Sequence, residues 1–218
     1  MSVPSLSMLK IVLLFLVISC SNQGEGKRYG IKKGILVSES INSNNQAKSL
    51  LTLHFDDYGD KEYTIARSET KVDGFIKIRE QHSLLIGEFL YAWDAETQKG
   101  TKYKYDEILD PLKLSKADFT EDMKKQFNYQ EIGLDTIIGK PCEVISLSFN
   151  GNQGKMYNWK NLILKSEARS QGLQVVTQAI SLDESPKFKK NLFDLPEGTI
   201  EFTEFIMPQA PPRQGSPR

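Results

Sequence analysis

The chain has 218 residues, 28 basic and 28 acidic side chains, and a hydrophobic content of 39%. These values are ordinary for one globular domain or two small ones, and they exclude a collagen-like chain, a disulfide-dense miniprotein and a wholly disordered protein. The balanced charge argues against a protein built to bind nucleic acid, in which basic residues dominate.

The first residues have the pattern of a secretory signal. Lys10 precedes the unbroken apolar run from Ile11 to Ile18, IVLLFLVI, which is too short to span a bilayer as a helix. The run ends at Ser19-Cys20, which resembles the lipobox of bacterial lipoproteins. The resemblance implies cleavage after residue 19, a diacylglycerol on the Cys20 thiol and an acyl chain such as palmitate on its amine. The alternatives are an unlipidated cysteine after an ordinary signal, and a start at Met8.

A lipid on Cys20 would hold the mature chain on a membrane without crossing it, because two or more acyl chains anchor a protein stably. Position 21 is Ser and not the Asp that often retains lipoproteins at the inner membrane, which favours the periplasmic face of the outer membrane. The only other thiol would be Cys142, which cannot form an internal disulfide. We interpret it as a small buried hydrophobic residue and not as a nucleophile.

The sequence divides into four parts. Residues 1–19 form the predicted signal peptide, and residues 20–28 the lipidated cysteine and a polar tether. Residues 29–207 form one domain without an internal linker or a convincing repeat. Residues 208–218 contain four prolines and almost nothing apolar, which predicts a disordered tail.

Period-two patterns in the body predict a mainly β (α+β) domain. Each run places apolar residues on one face and polar residues on the other: Leu51, Leu53 and Phe55; Ile76 and Ile78; Ile145, Leu147 and Phe149; Ile200 and Phe202. Turn-forming residues separate the runs, at 56–60, 139–141 and 150–154. Short turns between strands favour antiparallel pairing.

One amphipathic helix is predicted over 115–127. Ser115 could cap it, with Asp118 three residues later, and Phe119, Met123 and Phe127 form one apolar stripe. We expect this stripe to lie on the open face of the sheet. A weaker helical pattern covers residues 185–191.

No motif typical of a catalytic or phosphate-binding site is present, so we predict a protein that is not an enzyme. The two histidines, His54 and His82, leave little scope for a Ser–His–acid site, and His54 is interpreted as a packed or solvent-facing strand residue. The cluster Asp56, Asp57 and Asp60 fits a hairpin turn better than a calcium loop, and no metal or other cofactor is expected.

Residues 101–105, TKYKY, interleave basic and aromatic side chains. Nucleic-acid platforms use such residues, but so does a strand with its lysines outside and its tyrosines inside. Residues 1–19 hold one lysine and no acid, so the mature chain has a net charge of −1. A membrane-tethered chain of that charge is not expected to bind nucleic acid, and these lysines could face anionic headgroups instead.

Several stretches together resemble a family. They are YGIKKG at 29–34, FDDYG at 55–59, IGKPCE at 138–143, WKNLILKSE at 159–167 and FDLPEG at 193–198. They are similar to bacterial envelope proteins of the domain-of-unknown-function 4412 type, whose pattern is similar to that of the lipoprotein carriers LolA and LolB. The resemblance implies a curved antiparallel half-open β-barrel, with one or more helices lidding its concave face over an apolar cavity. In the carriers, that cavity holds the acyl chains of lipoproteins.

The resulting hypothesis is a lipid-anchored envelope protein that binds an acyl chain, a lipid or a lipidated peptide. The alternative is an envelope scaffold or interaction protein whose core is filled by its own side chains. The candidate cavity lining is Leu51, Leu53, Phe55, Ile76, Ile78, Phe119, Met123, Ile145, Leu147, Trp159 and Leu162. Trp159 also has a structural interpretation, as a large aromatic side chain that closes one end of the barrel.

Overall fold

The structure is a computed structural model that describes residues 28–43, 47–72, 75–104, 121–196 and 200–204, without the side chains of residues 71, 72 and 123. The predicted signal peptide, the predicted lipidated cysteine and the proline-rich tail lie outside the described residues. So does all but the last residue of the predicted tether.

Twelve strands and one short α-helix form the described part of the chain. The helix, α1, spans Glu121–Gln126, and a 3-10 turn spans Asp57–Gly59. The strands are β1 (Gly34–Asn42), β2 (Lys48–Asp56), β3 (Lys61–Val72), β4 (Phe75–Ile86), β5 (Phe89–Asp94), β6 (Lys99–Lys104), β7 (Gln130–Ile137), β8 (Lys140–Phe149), β9 (Asn152–Trp159), β10 (Leu162–Ser170), β11 (Leu173–Asp183) and β12 (Glu201–Glu204).

The strands form one open, curved sheet in the order β12-β6-β5-β4-β3-β2-β1-β11-β10-β9-β8-β7. Strand β1 pairs with β2 on one side and β11 on the other, so two meanders extend from the centre of the sheet. The predicted mainly β, curved antiparallel fold is confirmed. One pair departs from it, because β12 runs parallel to β6. A long connection, and not a hairpin, leads into β12, so nothing forces antiparallel pairing there.

One face of the sheet carries a packed hydrophobic cluster, and we call it the core face. Leu36 on β1 is paired with Leu53 on β2, and Gly34 with Phe55, so these residues share that face. The part of the sheet from β2 through β1, β11, β10, β9 and β8 to β7 contributes side chains to the same cluster. This is expected of a sheet that curves around its core. Its buried members are Tyr29, Leu36, Phe55, Ile137, Cys142, Val144, Tyr157, Trp159, Leu162, Leu164 and Ala179.

Residues 28–34 lie across one end of the sheet, which we call the entry end. The Tyr29 ring packs edge-on against Phe55, with 4.6 Å between the ring centroids. The Tyr29 hydroxyl donates to Glu62 Oε1 at 2.6 Å, and the Arg28 guanidinium forms an ion pair with the same oxygen at 2.8 Å. All three side chains are buried, so this segment is a fixed part of the core.

A turn lies at each of the three predicted places, although residues 140–141 belong to β8 and residues 152–154 to β9. Residues 56–60 link β2 to β3, and the Asp57 N–H donates to the Asp56 carboxylate at 2.8 Å. Asn150 and Gly151 both have positive φ between β8 and β9, as a tight hairpin turn requires.

One helix prediction is confirmed only in part, and the other is wrong. Only Glu121–Gln126 of the predicted 115–127 helix is described as helical, and residues 115–120 lie outside the described chain. Phe127 follows the helix, and its ring lies 5.4 Å from that of Phe149. The weaker helical prediction at 185–191 is wrong: the segment is irregular, because the Pro186 carbonyl accepts from Lys33 Nζ and Phe188 packs on His54.

Candidate ligand-binding face and aromatic array

Most residues of the predicted lining are brought together at the core face or in its cluster. Leu51, Leu53 and Phe55 alternate along β2 on that face. Leu51, Phe55, Ile145, Trp159 and Leu162 are buried, and Leu53 and Leu147 are half-buried.

Two residues of that lining lie elsewhere. Ile76 and Ile78 pair with Lys71 and Glu69 of β3, whereas Leu51 of the core face pairs with Ala66. Because side chains alternate along a strand, odd-numbered β3 residues and their β4 partners lie on the opposite face. Ile76 is 67% exposed and Ile78 46% exposed. Phe119 lies outside the described residues, and the Met123 side chain is not described although its backbone belongs to α1.

The core face changes in side-chain size along its strands. Near the entry end it carries the bulky cluster, whereas the central and far parts of β1, β3, β10 and β11 carry small side chains. Cross-strand pairing places several of these next to one another. We call this set the small-residue floor: Ser38, Ser40, Ala66, Ser166, Ala168 and Thr177.

Some hydroxyl groups of the floor form hydrogen bonds with one another. The Thr177 hydroxyl donates to the Ser40 hydroxyl at 2.9 Å, so these groups partly satisfy one another. Small side chains take up less of the volume over a sheet than Leu or Phe would, and Ser38, Ser40 and Ser166 are themselves buried. The sequence does contain the signal, since Ser38 and Ser40, and Ser166 and Ala168, recur at a period of two. Alternation of apolar residues alone does not reveal it.

Trp159 lies at the entry end between two lysines. Lys140 Nζ is 4.8 Å and Lys160 Nζ 4.7 Å from the centre of the indole ring, within the range of a cation–π contact. The ring is buried within the packed cluster. These contacts support the structural interpretation of Trp159.

The strand after Trp159 carries two buried leucines and, beyond them, two charged residues that form an ion pair. Leu162 and Leu164 are buried, and Lys165 Nζ lies 2.7 Å from Glu167. The Tyr157 hydroxyl donates to the same carboxylate at 3.0 Å. The hydrogen bond between Lys165 and Glu167 lowers the pKa of the Glu167 carboxyl group and raises the pKa of the Lys165 ammonium group. The group is a structural ion pair and not an activated base.

The opposite face of β2–β5 carries an aromatic array that sequence reasoning did not foresee. His82 stacks on Trp93 with 5.3 Å between centroids and on Tyr63 with 5.8 Å. His54 continues the array and is covered by Phe188. These side chains come from four adjacent strands and from the segment after β11.

Hydrogen bonds fix the two histidines within the array. His82 Nε2 lies 3.0 Å from Glu80 and its Nδ1 2.7 Å from the Tyr63 hydroxyl, so Nε2–H can donate to Glu80 while Tyr63 donates to Nδ1. Burial, followed by the Glu80 charge, raises the pKa of Tyr63. Burial lowers the pKa of His54, an effect only partly offset by the Tyr63 carbonyl. A raised pKa keeps the Tyr63 hydroxyl protonated, so it can act as a hydrogen-bond donor to His82.

The described residues also include a surface depression and a buried thiol. The depression, of about 390 Å³, lies at the β8–β9 turn and is lined by residues that include Gln126, Phe149 and Gln153. Cys142 is fully buried, and burial raises the pKa of its thiol. No group of three metal-ligating side chains and no helix long and apolar enough to cross a membrane occurs among these residues.

No protein-family model matches the chain, and no curated protein matches it. Solved structures similar to it include a chain of the MucA/MucB complex of Pseudomonas aeruginosa, with 10% identity and a TM-score of 0.46 over 75% of this chain and 56% of that one. A putative outer membrane lipoprotein-sorting protein domain from Vibrio parahaemolyticus has 11% identity and a TM-score of 0.35 over 75% and 89%. A LolA superfamily protein from Nitrosomonas europaea has 10% identity and a TM-score of 0.32 over 75% and 90%.

The chain spans little more than half the length of the MucA/MucB match. The names of the other two proteins coincide with the LolA-like part of the sequence resemblance. Similarities at these identities and TM-scores carry no argument about ligand or partner. The narrower assignment to domain-of-unknown-function 4412 stays a prediction.

Proposed function

We propose that this chain is a lipid-anchored protein of the bacterial cell envelope that binds one apolar ligand on the core face of its sheet. The ligand is an acyl chain, a lipid or a lipidated peptide. The observation that carries the proposal is the small-residue floor beside a packed hydrophobic cluster, because small side chains take up less of the volume over the sheet than Leu or Phe would. Binding of this kind uses apolar contacts and requires no catalytic group or cofactor.

The lipid anchor is the second part of the proposal. It is supported by the apolar run before Cys20 and by Ser19 and Ser21 around the cleavage point. Ser21 favours the outer membrane, with the folded domain in the periplasm. A chain held there would meet acylated molecules at the membrane surface, which suits a carrier of acyl chains.

Filling the floor tests ligand binding. Ala66 is half-buried on the core face of β3, paired with Leu51 and Gln81, so the indole of Ala66→Trp would occupy the space above the floor. Gln178→Trp is the matched control, because Gln178 is exposed and pairs with Glu39 on the opposite face. Both variants are made in residues 21–218, so that no covalent lipid competes, and are titrated with the fluorescent fatty acid cis-parinaric acid.

We expect Ala66→Trp to weaken uptake by at least about tenfold, a difference of about 1.4 kcal/mol, and Gln178→Trp to leave it unchanged. Far-ultraviolet circular dichroism and a thermal unfolding curve show whether each variant is folded. A folded Ala66→Trp protein that binds the probe as the parent does contradicts the core-face site. Absence of binding by the parent favours the envelope scaffold instead, with the entry-end cluster as its filled core.

A further inference from the structure

Seven lysines gather around the entry end of the sheet. Lys33 Nζ donates to the Pro186 carbonyl at 2.9 Å, and the Lys160 carbonyl accepts from the Gly30 N–H at 2.8 Å. These contacts bring the chain entry, the β9–β10 turn and the segment after β11 together. The cluster, which we call the lysine end, comprises Lys32, Lys33, Lys140, Lys160, Lys187, Lys189 and Lys190.

Four of the seven lysines are exposed and form no ion pair with any described residue. They are Lys32, Lys187, Lys189 and Lys190. The half-buried Phe188 contacts the sheet between Lys187 and Lys189, which are both exposed.

Six carboxylates lie close to these lysines. Glu184 forms an ion pair with Lys140, and Asp56 and Asp183 each accept a backbone N–H and keep their charge. Asp57 and Asp60 are exposed in the adjoining turn, and Asp194 is exposed in the segment after β11. The net positive charge of the lysine end is therefore small, and it is concentrated at the exposed, unpaired Lys187, Lys189 and Lys190.

The covalent chain limits how far this end can be from an anchor at Cys20. Eight peptide units separate Cys20 from Arg28, and they span at most about 29 Å even when fully extended. Arg28 is buried at the entry end, tied to Glu62. The strands from this end to the far turns are themselves about 30 Å long or more, so the anchor keeps the lysine end, and not the far end, near the membrane.

We propose that the lysine end is a docking surface for anionic phospholipid headgroups, which orients the protein with its entry end on the membrane. This inference rests on the proposed lipid anchor and adds a second, electrostatic contact to it. Each lysine near an anionic surface adds about 1 kcal/mol of attraction. The far end of the sheet, with Phe75 79% exposed, would then face away from the anchoring membrane.

The test measures which end of the full-length, lipidated chain lies near the headgroups. Single cysteines for a fluorophore are introduced by Ser185→Cys at the entry end and Asn152→Cys at the far end, both exposed positions. Cys142 is buried and does not compete for the label. Energy transfer to a rhodamine-labelled headgroup is recorded in phosphatidylcholine vesicles with and without phosphatidylglycerol.

In anionic vesicles we expect stronger transfer from residue 185 than from residue 152, and loss of most of that difference in a variant with Lys187→Glu, Lys189→Glu and Lys190→Glu. Raised salt should reduce the difference as well. The charge-matched control reverses Lys48, Lys77 and Lys155, exposed lysines away from the entry end, and should keep it.

Equal transfer from the two sites overturns the proposal. So does a difference that persists in neutral vesicles or in the entry-end variant, since an acidic protein partner would then explain the lysines better. Whether Cys20 carries acyl groups is measured separately, by mass spectrometry of the intact protein. A chain without acyl groups refutes the lipidation and not the headgroup contact, which the unlipidated chain would still show as binding to anionic vesicles.

Discussion

His54 lies in an environment that differs from water. Its ring is half-buried between Tyr63 and Phe188, and Nδ1 lies 3.3 Å from the Tyr63 carbonyl oxygen. Burial lowers its pKa below the value of about 6.5 that it has in an unfolded chain. The folded state therefore holds His54 neutral where the unfolded state begins to take up a proton.

This difference predicts a pH dependence of stability. As the pH falls through about 6.5, the unfolded chain binds a proton that folded His54 does not, so the free energy of unfolding should fall. The loss levels off below the lower pKa of the folded state. Urea unfolding of the parent and of His54→Gln between pH 8 and pH 5 measures it, and the parent should show the steeper decline. A decline of equal slope in both proteins would assign the effect to other groups.

Strand β12 depends on a glycine in its neighbour. The Phe202 ring of β12 lies against Gly100 of β6, where an added Cβ would be 2.6 Å from two ring carbons and 2.9 Å from the Ala92 carbonyl oxygen. The ring also packs edge-on with Tyr91 and Trp93. A strand of four residues at the edge of a sheet has few other contacts to hold it.

Gly100→Ala should therefore release β12 while the rest of the sheet stays folded. We expect faster amide hydrogen exchange at residues 201–204, because the methyl group and the Phe202 ring cannot occupy the same space. Gly154→Ala is the control, since its Cβ would meet only the Glu167 carbonyl at 3.8 Å. Exchange at β12 that is unchanged in Gly100→Ala would show that the ring contact does not hold the strand.

At the scale of the whole molecule, alternation in the sequence predicted strands in the regions of β2, β4, β8 and β12, but not the other strands or the arrangement of their side chains on the two faces. The alternation of apolar and polar residues in β2 and β8 was clear because each strand has a more solvent-exposed side and a more buried side. The side of Ile76 and Ile78 was not, because the face on which a side chain lies depends on the cross-strand register, which the alternation within one strand does not reveal. The aromatic array also escaped, since His54, His82, Trp93 and Phe188 meet only across strands.

The burial of small and polar residues on the core face was not predicted either. Ser38, Ser40 and Ser166 are polar, yet they lie on the core face and are buried. A buried serine is ordinary where its hydroxyl has a partner, as Ser40 has in Thr177. The size of a side chain, and not its polarity, is what shapes this face.

The contrast between a bulky entry end and a small-residue floor has a thermodynamic consequence for the whole chain. A ligand that binds only the folded state adds about 2.7 kcal/mol to the free energy of unfolding at one hundred times its dissociation constant. Thermal unfolding of residues 21–218 should therefore shift upward with palmitate concentration. Ala66→Trp, which fills the floor, should unfold at a temperature that palmitate does not change. A scaffold with a filled core would give the same transition at every palmitate concentration, because no folded-state site would remain to be saturated.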